Sequence, residues 1–188
     1  MFMRFLLSGL IAFVPCFIWA QSLPKPDKDY LYTEFSSVRK LKYVKKPIVS
    51  SGYIAMNGKE DFIYRQETPT LLEIKKIGDA AFYKKENIAP IQIDLSKSNF
   101  DESYSVIFLF YGDDEKVSEY FNITKTFKNN IDYYDIYPKK QGTIKQVSAT
   151  GLGDKLYSID MTYADGSTLS YKFANSVTGT KPDDKYFK

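Results

Sequence analysis

The sequence predicts a mainly β protein of antiparallel strands, and three observations predict it. Apolar residues recur with a period near two through most of the chain, turn-forming residues interrupt them at short intervals, and the side chains include 16 Tyr and 14 Phe. A period of two sends alternate side chains to opposite faces of a strand. Tyrosine and phenylalanine suit a pleated, half-buried surface, and tyrosine keeps a wet hydroxyl on an apolar ring.

From Gly52 to Asn57 the pattern puts Ile54 and Met56 on one face, and from Asp61 to Glu67 it puts Phe62 and Tyr64 together. Thr68 and Pro69 turn the chain, after which Leu72 and Ile74 alternate with Glu73 and Lys75. Gly78 and Asp79 make the next turn, into a strand that holds Phe82 and Tyr83. Asn122 to Lys128 alternates as Ile123, Lys125 and Phe127, the Asn129 and Asn130 pair turns, and Ile131 to Tyr137 returns. Thr143 to Thr150, Leu156 to Tyr163 and Thr168 to Asn175 are the last strands. Asp165 followed by Gly166 is the strongest hairpin signal in the chain, because a tight turn there needs positive φ.

Between Phe100 and Phe121 the rhythm changes. Tyr104, Ile107, Phe108 and Tyr111 fall at helical spacing, with Gly112 placed to end a helix. Asp113 or Asp114 then caps a second short helix carrying Val117, Tyr120 and Phe121. By propensity alone, Val106 to Tyr111 also reads as a strand.

Met1 to Ala20 reads as a cleavable secretory signal: Arg4 is the only early charge, Phe5 to Trp19 is almost wholly apolar, and Ala20 offers a small residue at the cut. The apolar run is short against the ~20 residues that span a bilayer. Cys16 lies inside it behind Pro15, where lipoprotein processing wants a small residue, so the cysteine is expected to leave with the signal. The exported chain, residues 21–188, then has no disulfide and is of a size for one domain.

Loss of Arg4 lowers the formal net charge of +3 by one, a balance that argues against a nucleic-acid partner. Basic residues cluster locally as Arg39, Lys40, Lys42, Lys45 and Lys46, and again as Lys75 with Lys76 and Lys84 with Lys85. Solvated strand faces explain such runs; contact with anionic lipid headgroups is the sharper reading.

The sequence contains no histidine and, past Cys16, no cysteine, which removes the usual general base, the thiol nucleophile and most transition-metal ligand sets. Two Ser-x-x-Lys matches remain, Ser22 with Lys25 and Ser37 with Lys40. That pair needs a helical turn to bring its groups together. Pro24 and Pro26 flank Lys25, and Ser37 sits in a strand, where positions three apart face opposite ways. Asp113, Asp114 and Glu115 read as helix-start acids that favour the dipole, without calcium-loop spacing. No enzymatic activity, metal or cofactor is expected.

The segment from Phe35 to Pro69 carries a resemblance. A phenylalanine opening a strand, the Lys45-Lys46-Pro47 run, the Ser50-Ser51-Gly52 step, the aromatic pair Phe62 and Tyr64, and Pro69 together resemble the LolA family of periplasmic outer-membrane lipoprotein carriers. Gly78-Asp79 with Phe82-Tyr83, Gly112-Asp113 through Phe121, and Tyr137-Pro138-Lys139 continue it. Asp165-Gly166, Phe173-Ala174-Asn175 and Asp184 to Phe187 look like the family's last hairpin and closing strand. Gly58 stands near the position of the arginine that contacts the lid in well-known members, with Arg65 as the alternative.

The resemblance implies an incomplete antiparallel β-barrel whose open, apolar side is covered by short helices. It implies a periplasmic monomer that accepts acylated lipoproteins released by an inner-membrane ABC transporter complex, shields their acyl chains, and passes them to an outer-membrane acceptor. The hollow is then expected at Ile54, Met56, Phe62, Tyr64, Leu72 and Ile74, and the lid at Tyr104, Ile107, Phe108 and Tyr111. A LolA-like carrier or sensor of a glycolipid or other free lipid is the alternative reading.

Overall fold

The computed structural model describes residues 30–58, 61–93, 117–118 and 120–187. The expected export segment, the Ser22–Lys25 pair, the acids at 113–115 and the first expected helix with Tyr104, Ile107, Phe108 and Tyr111 lie outside the described residues.

Among the described residues, eleven strands form one antiparallel sheet. They are β1 (Tyr30–Lys40), β2 (Ile48–Asn57), β3 (Asp61–Thr68), β4 (Leu72–Ile77), β5 (Ala80–Lys85), β6 (Ile91–Ile93), β7 (Phe121–Lys128), β8 (Ile131–Pro138), β9 (Ile144–Leu152), β10 (Lys155–Tyr163) and β11 (Thr168–Thr178). Their spatial order is β6-β5-β4-β3-β2-β1-β11-β10-β9-β8-β7. Two meanders are therefore joined along β1 and β11, with Phe35 opposite Phe173. Among the described residues the edges β6 and β7 do not pair, and the sheet is open.

The hairpin turns are built as their residues dictate. Asn129 and Asn130 both take positive φ, 53° and 58°, which gives the two-residue turn whose twist matches its strands. Gly166 has φ 87°, and Asp165 closes that turn by accepting from Ser167 N at 2.8 Å and Ser167 Oγ at 2.9 Å. Those two bonds hold the Asp165 carboxyl below the usual carboxylate range.

Curvature follows from one contact. The Tyr64 and Tyr171 hydroxyls are 3.3 Å apart, yet β2 and β1 lie between β3 and β11. In a flat sheet three strand spacings keep such groups about 14 Å apart. The sheet curls so that side chains of one face converge, and that concave face holds the main core: Phe35, Ile54, Tyr64, Ile74, Tyr134, Ile136, Val147, Ile159, Met161 and Tyr171 are among its buried members.

A smaller cluster lies on the convex face. Tyr53, Ala55 and Ile63 are buried there, with Tyr32, Tyr186 and Phe187 packed against them. Asp184–Phe187, expected as part of a closing strand, is instead a 3-10 turn. Its aromatics cover apolar side chains on the outside of β2 and β3, which a paired edge strand would leave bare.

Two other expectations shift, and one strand was not expected. β1 starts at Tyr30 rather than at Phe35, because Tyr30 already pairs with Asn57 of β2. The three-residue strand β6 is too short to show a period. Val117, Ser118 and Tyr120 are helical and Val117 is buried, but Phe121, expected on the same helix, opens β7 opposite Pro138.

Candidate functional site

The concave face is assembled by register. Ile54 of β2 stands opposite Tyr64 of β3, and Tyr64 opposite Ile74 of β4, which faces Tyr83 of β5. Met56 stands opposite Phe62 in the adjacent row, and Leu72 opposite Gln66. All of the expected hollow positions thus share one face: Ile54, Phe62, Tyr64 and Ile74 are buried, while Met56 and Leu72 are half-buried against them.

Sequence reasoning missed the second half of this face. Leu169 and Tyr171 of β11, Ile159 and Met161 of β10, Ala149 and Val147 of β9, and Tyr134 and Ile136 of β8 continue the same rows. Their alternation was readable, but nothing local says which alternate set turns inward. The pairing of β1 with β11 decides it, by placing Ser37 opposite Tyr171 and Phe35 opposite Phe173.

Gly52 lets the backbones of β2 and β3 approach closely. A Cβ there would stand 1.9 Å from the backbone oxygen of Arg65, because the register of β2 and β3 shifts between Ser51 and Gly52. Phe35, opposite Gly52, therefore stacks on Tyr64 at 5.0 Å between centroids and 15° between planes. Tyr171 meets the other edge of Phe35 at 5.5 Å and 66°.

The face changes chemistry at the end near the β1–β2 hairpin. A cavity of about 200 Å³ is lined by Ser37, Arg39, Ser50, Gln66, Tyr64 and Tyr171, with Leu72, Leu169, Ile48 and Pro69 as apolar wall. Ser37 and Ser50 are buried. Gln66 Nε2 donates to the Thr70 carbonyl at 3.0 Å. Arg39 is the charged residue among the described residues of the lining. Such a cavity suits the join between an anionic or polar head and an apolar tail.

A second polar feature lies toward β7. Lys125 Nζ is 2.9 Å from the Asp132 carboxylate, and the Tyr134 hydroxyl donates to the same oxygen at 3.4 Å. That bond to Asp132 raises the Lys125 pKa above the usual lysine value, and burial raises that of Tyr134.

Two sequence alternatives are placed by geometry. Ser37 is buried on the concave face and Lys40 ends β1 in solvent, one on each side of the strand. Arg65 lies on the convex face opposite Tyr53, bonded to Glu73 at 3.2 Å, so it does not reach the hollow. Gly58 occupies a turn with φ 75°.

No protein-family model and no curated protein matches the chain. Among solved structures it is similar to a LolA superfamily protein from Nitrosomonas europaea, at 11% identity and a TM-score of 0.49 over 88% of this chain and 92% of the other. It is also similar to a domain assigned to outer membrane lipoprotein sorting from Vibrio parahaemolyticus, at 10% identity and a TM-score of 0.49 over 85% and 89%. A DUF1329 family protein from Desulfovibrio piger gives 12% identity and a TM-score of 0.47 over 86% and 90%.

Proposed function

We propose that this chain is a carrier that binds the acyl chains of lipoproteins released from an inner membrane and takes them across the periplasm to an outer-membrane acceptor. The observation that carries the reading is the concave face: one apolar cluster spread over an open, curled sheet whose edges do not pair. The order of motifs from Phe35 to Asn175 supports it through their resemblance to the LolA carriers.

The physical need is large. Hiding an acyl chain of about 16 carbons from water is worth roughly 12 kcal/mol, at ~0.8 kcal/mol per methylene. A carrier must also release what it binds. In this reading Tyr104, Ile107, Phe108 and Tyr111 occupy the empty hollow as a lid, so that opening costs part of what the ligand gains. Met56 and Leu72, half-buried at the wall, are the groups a ligand touches first. The protein acts as a monomer without catalysis, metal or cofactor, receives its cargo from an ABC transporter complex and needs no nucleic acid.

Native mass spectrometry of protein taken from its own periplasm tests this, with acylated polypeptide as the expected ligand. Empty protein that also fails to take up an apolar fluorophore would overturn the reading. The donor-lined cavity beside Arg39 favours a second reading, in which the cargo is a free lipid or glycolipid with an anionic head. Free lipid in the same spectrum would select it.

A further inference from the structure

The two ends of the sheet differ in charge, and the difference follows from topology. Because neighbouring strands are antiparallel, the β1–β2, β3–β4, β5–β6, β8–β9 and β10–β11 connections share one rim, and the other hairpin turns share the opposite rim. The first rim carries Lys40, Lys42, Lys45 and Lys46 on the β1–β2 hairpin, Lys85 on the next connection but one, and Lys139 and Lys140 beyond β8. Among the described residues, the acids placed there are Glu86 and Asp165, with Glu67 one residue short of the end of β3. On the opposite rim Asp61, Asp79 and Asp154 alternate with Lys128 and Lys155, and Lys181 and Lys185 pair with Asp184 and Asp183.

The β1–β2 hairpin is also apolar where it is most exposed. Residues 42–49 are exposed without interruption. Tyr43 is 87% exposed, and Val44, Ile48 and Val49 are exposed beside it. Lys42 Nζ lies 5.3 Å from the centre of the Tyr43 ring, so a cation and an aromatic face are presented together. The sequence from Phe35 to Lys59 contains no acidic residue.

We propose that this rim docks on a bilayer surface that carries anionic lipid headgroups, with Tyr43 and Val44 entering the interface and the hairpin lysines meeting the headgroups. Aromatic rings with a polar tip settle at headgroup depth. Each lysine held at an anionic surface strengthens binding about fivefold, and salt weakens it. An acidic protein partner fits less well, because lysine is depleted at protein interfaces, where arginine predominates among cations. The donor-lined cavity lies at the same end, bounded by Arg39, Ile48 and Ser50 of the hairpin strands, so docking brings its mouth to the membrane. The docking stands on charge and exposure alone; only the meaning of that orientation, loading or unloading at a membrane, rests on the carrier reading.

The test is co-sedimentation with vesicles of phosphatidylcholine alone and of phosphatidylcholine mixed with phosphatidylglycerol. The protein is expected to sediment with the mixed vesicles and to be released by salt. The double substitution Lys45→Gln with Lys46→Gln should weaken this about twenty-five-fold, Tyr43→Ser should weaken it at every salt concentration, and Lys128→Gln with Lys155→Gln on the opposite rim should leave it unchanged. Equal sedimentation of the hairpin and opposite-rim variants, or none by the unaltered protein, overturns the proposal. Uptake of an apolar fluorophore, measured on the same samples, reports on the hollow separately: its failure in the unaltered protein would count against the carrier reading and leave the vesicle result standing.

Discussion

Phe35 and Tyr64 stack at 5.0 Å across the place where Gly52 leaves the concave face bare. The two rings come from strands that are not neighbours, since β2 runs between them. Contact across an intervening strand requires both a missing side chain on that strand and a sheet that curls, and the chain supplies both at one position.

Gly52→Ala is accordingly expected to be costly. The added methyl would meet backbone, 1.9 Å from the Arg65 oxygen, so β2 and β3 must move apart. A loss of about 2–4 kcal/mol is expected, read as a lower denaturant midpoint. An unchanged midpoint would mean that the bulge relaxes freely.

Burial separates the core from the wall proposed to meet a ligand. Ile54 is 0% exposed, and Ile54→Ala should cost about 3 kcal/mol of stability. Leu72 is half-buried at the cavity wall, so Leu72→Asp should cost little stability and cut uptake of an apolar fluorophore severalfold. If both variants lose stability equally and uptake is intact, the face is core only.

The convex face offers a control. Tyr186 lies 4.9 Å from the Tyr32 ring and 5.0 Å from that of Tyr53. Tyr186→Ala should destabilise by about 2 kcal/mol through lost aromatic packing while uptake by the hollow persists. Loss of uptake in a folded variant would tie the two faces together.

Alkaline pH should act through Lys125. Its pKa is raised by Asp132, so the contribution is full below the ordinary lysine value, declines as pH rises past it, and is gone above the raised value. Tyr134, raised by burial, loses its contribution in the same direction. Asp132→Asn should flatten this alkaline fall in unfolding free energy. A fall as steep as in the unaltered protein would exclude the pair as its cause.

The lid reading has its own variant. Ile107→Asp should lower loading of a purified lipoprotein in a release assay, because a charged side chain cannot close an apolar hollow. Unchanged loading would remove this residue from the mechanism.

The strand pattern was legible in the sequence because it is local: alternation in 52–57, 61–67 and 156–163 and the Asn129-Asn130 and Asp165-Gly166 turns each depend on neighbours a few residues apart. The apolar set of β2, β3 and β4 was legible for the same reason, since hairpin register carries Ile54 to Tyr64 and on to Ile74. Short β6 gave no period, and Asp184–Phe187 gave no sign that its rings would cover Tyr53 and Ile63.

By itself, then, the sequence determined a mainly β chain and which side chains of each hairpin lie together. Only the tertiary structure decided that β1 pairs with β11, that the two apolar halves make one concave face, and that the lysines of separate connections gather on one rim. The physical reason is range. Alternation and turn geometry are set by adjacent dihedrals, whereas the Phe35–Phe173 pairing and the Tyr64–Tyr171 contact join residues far apart along the chain, and only burial of the whole face selects them.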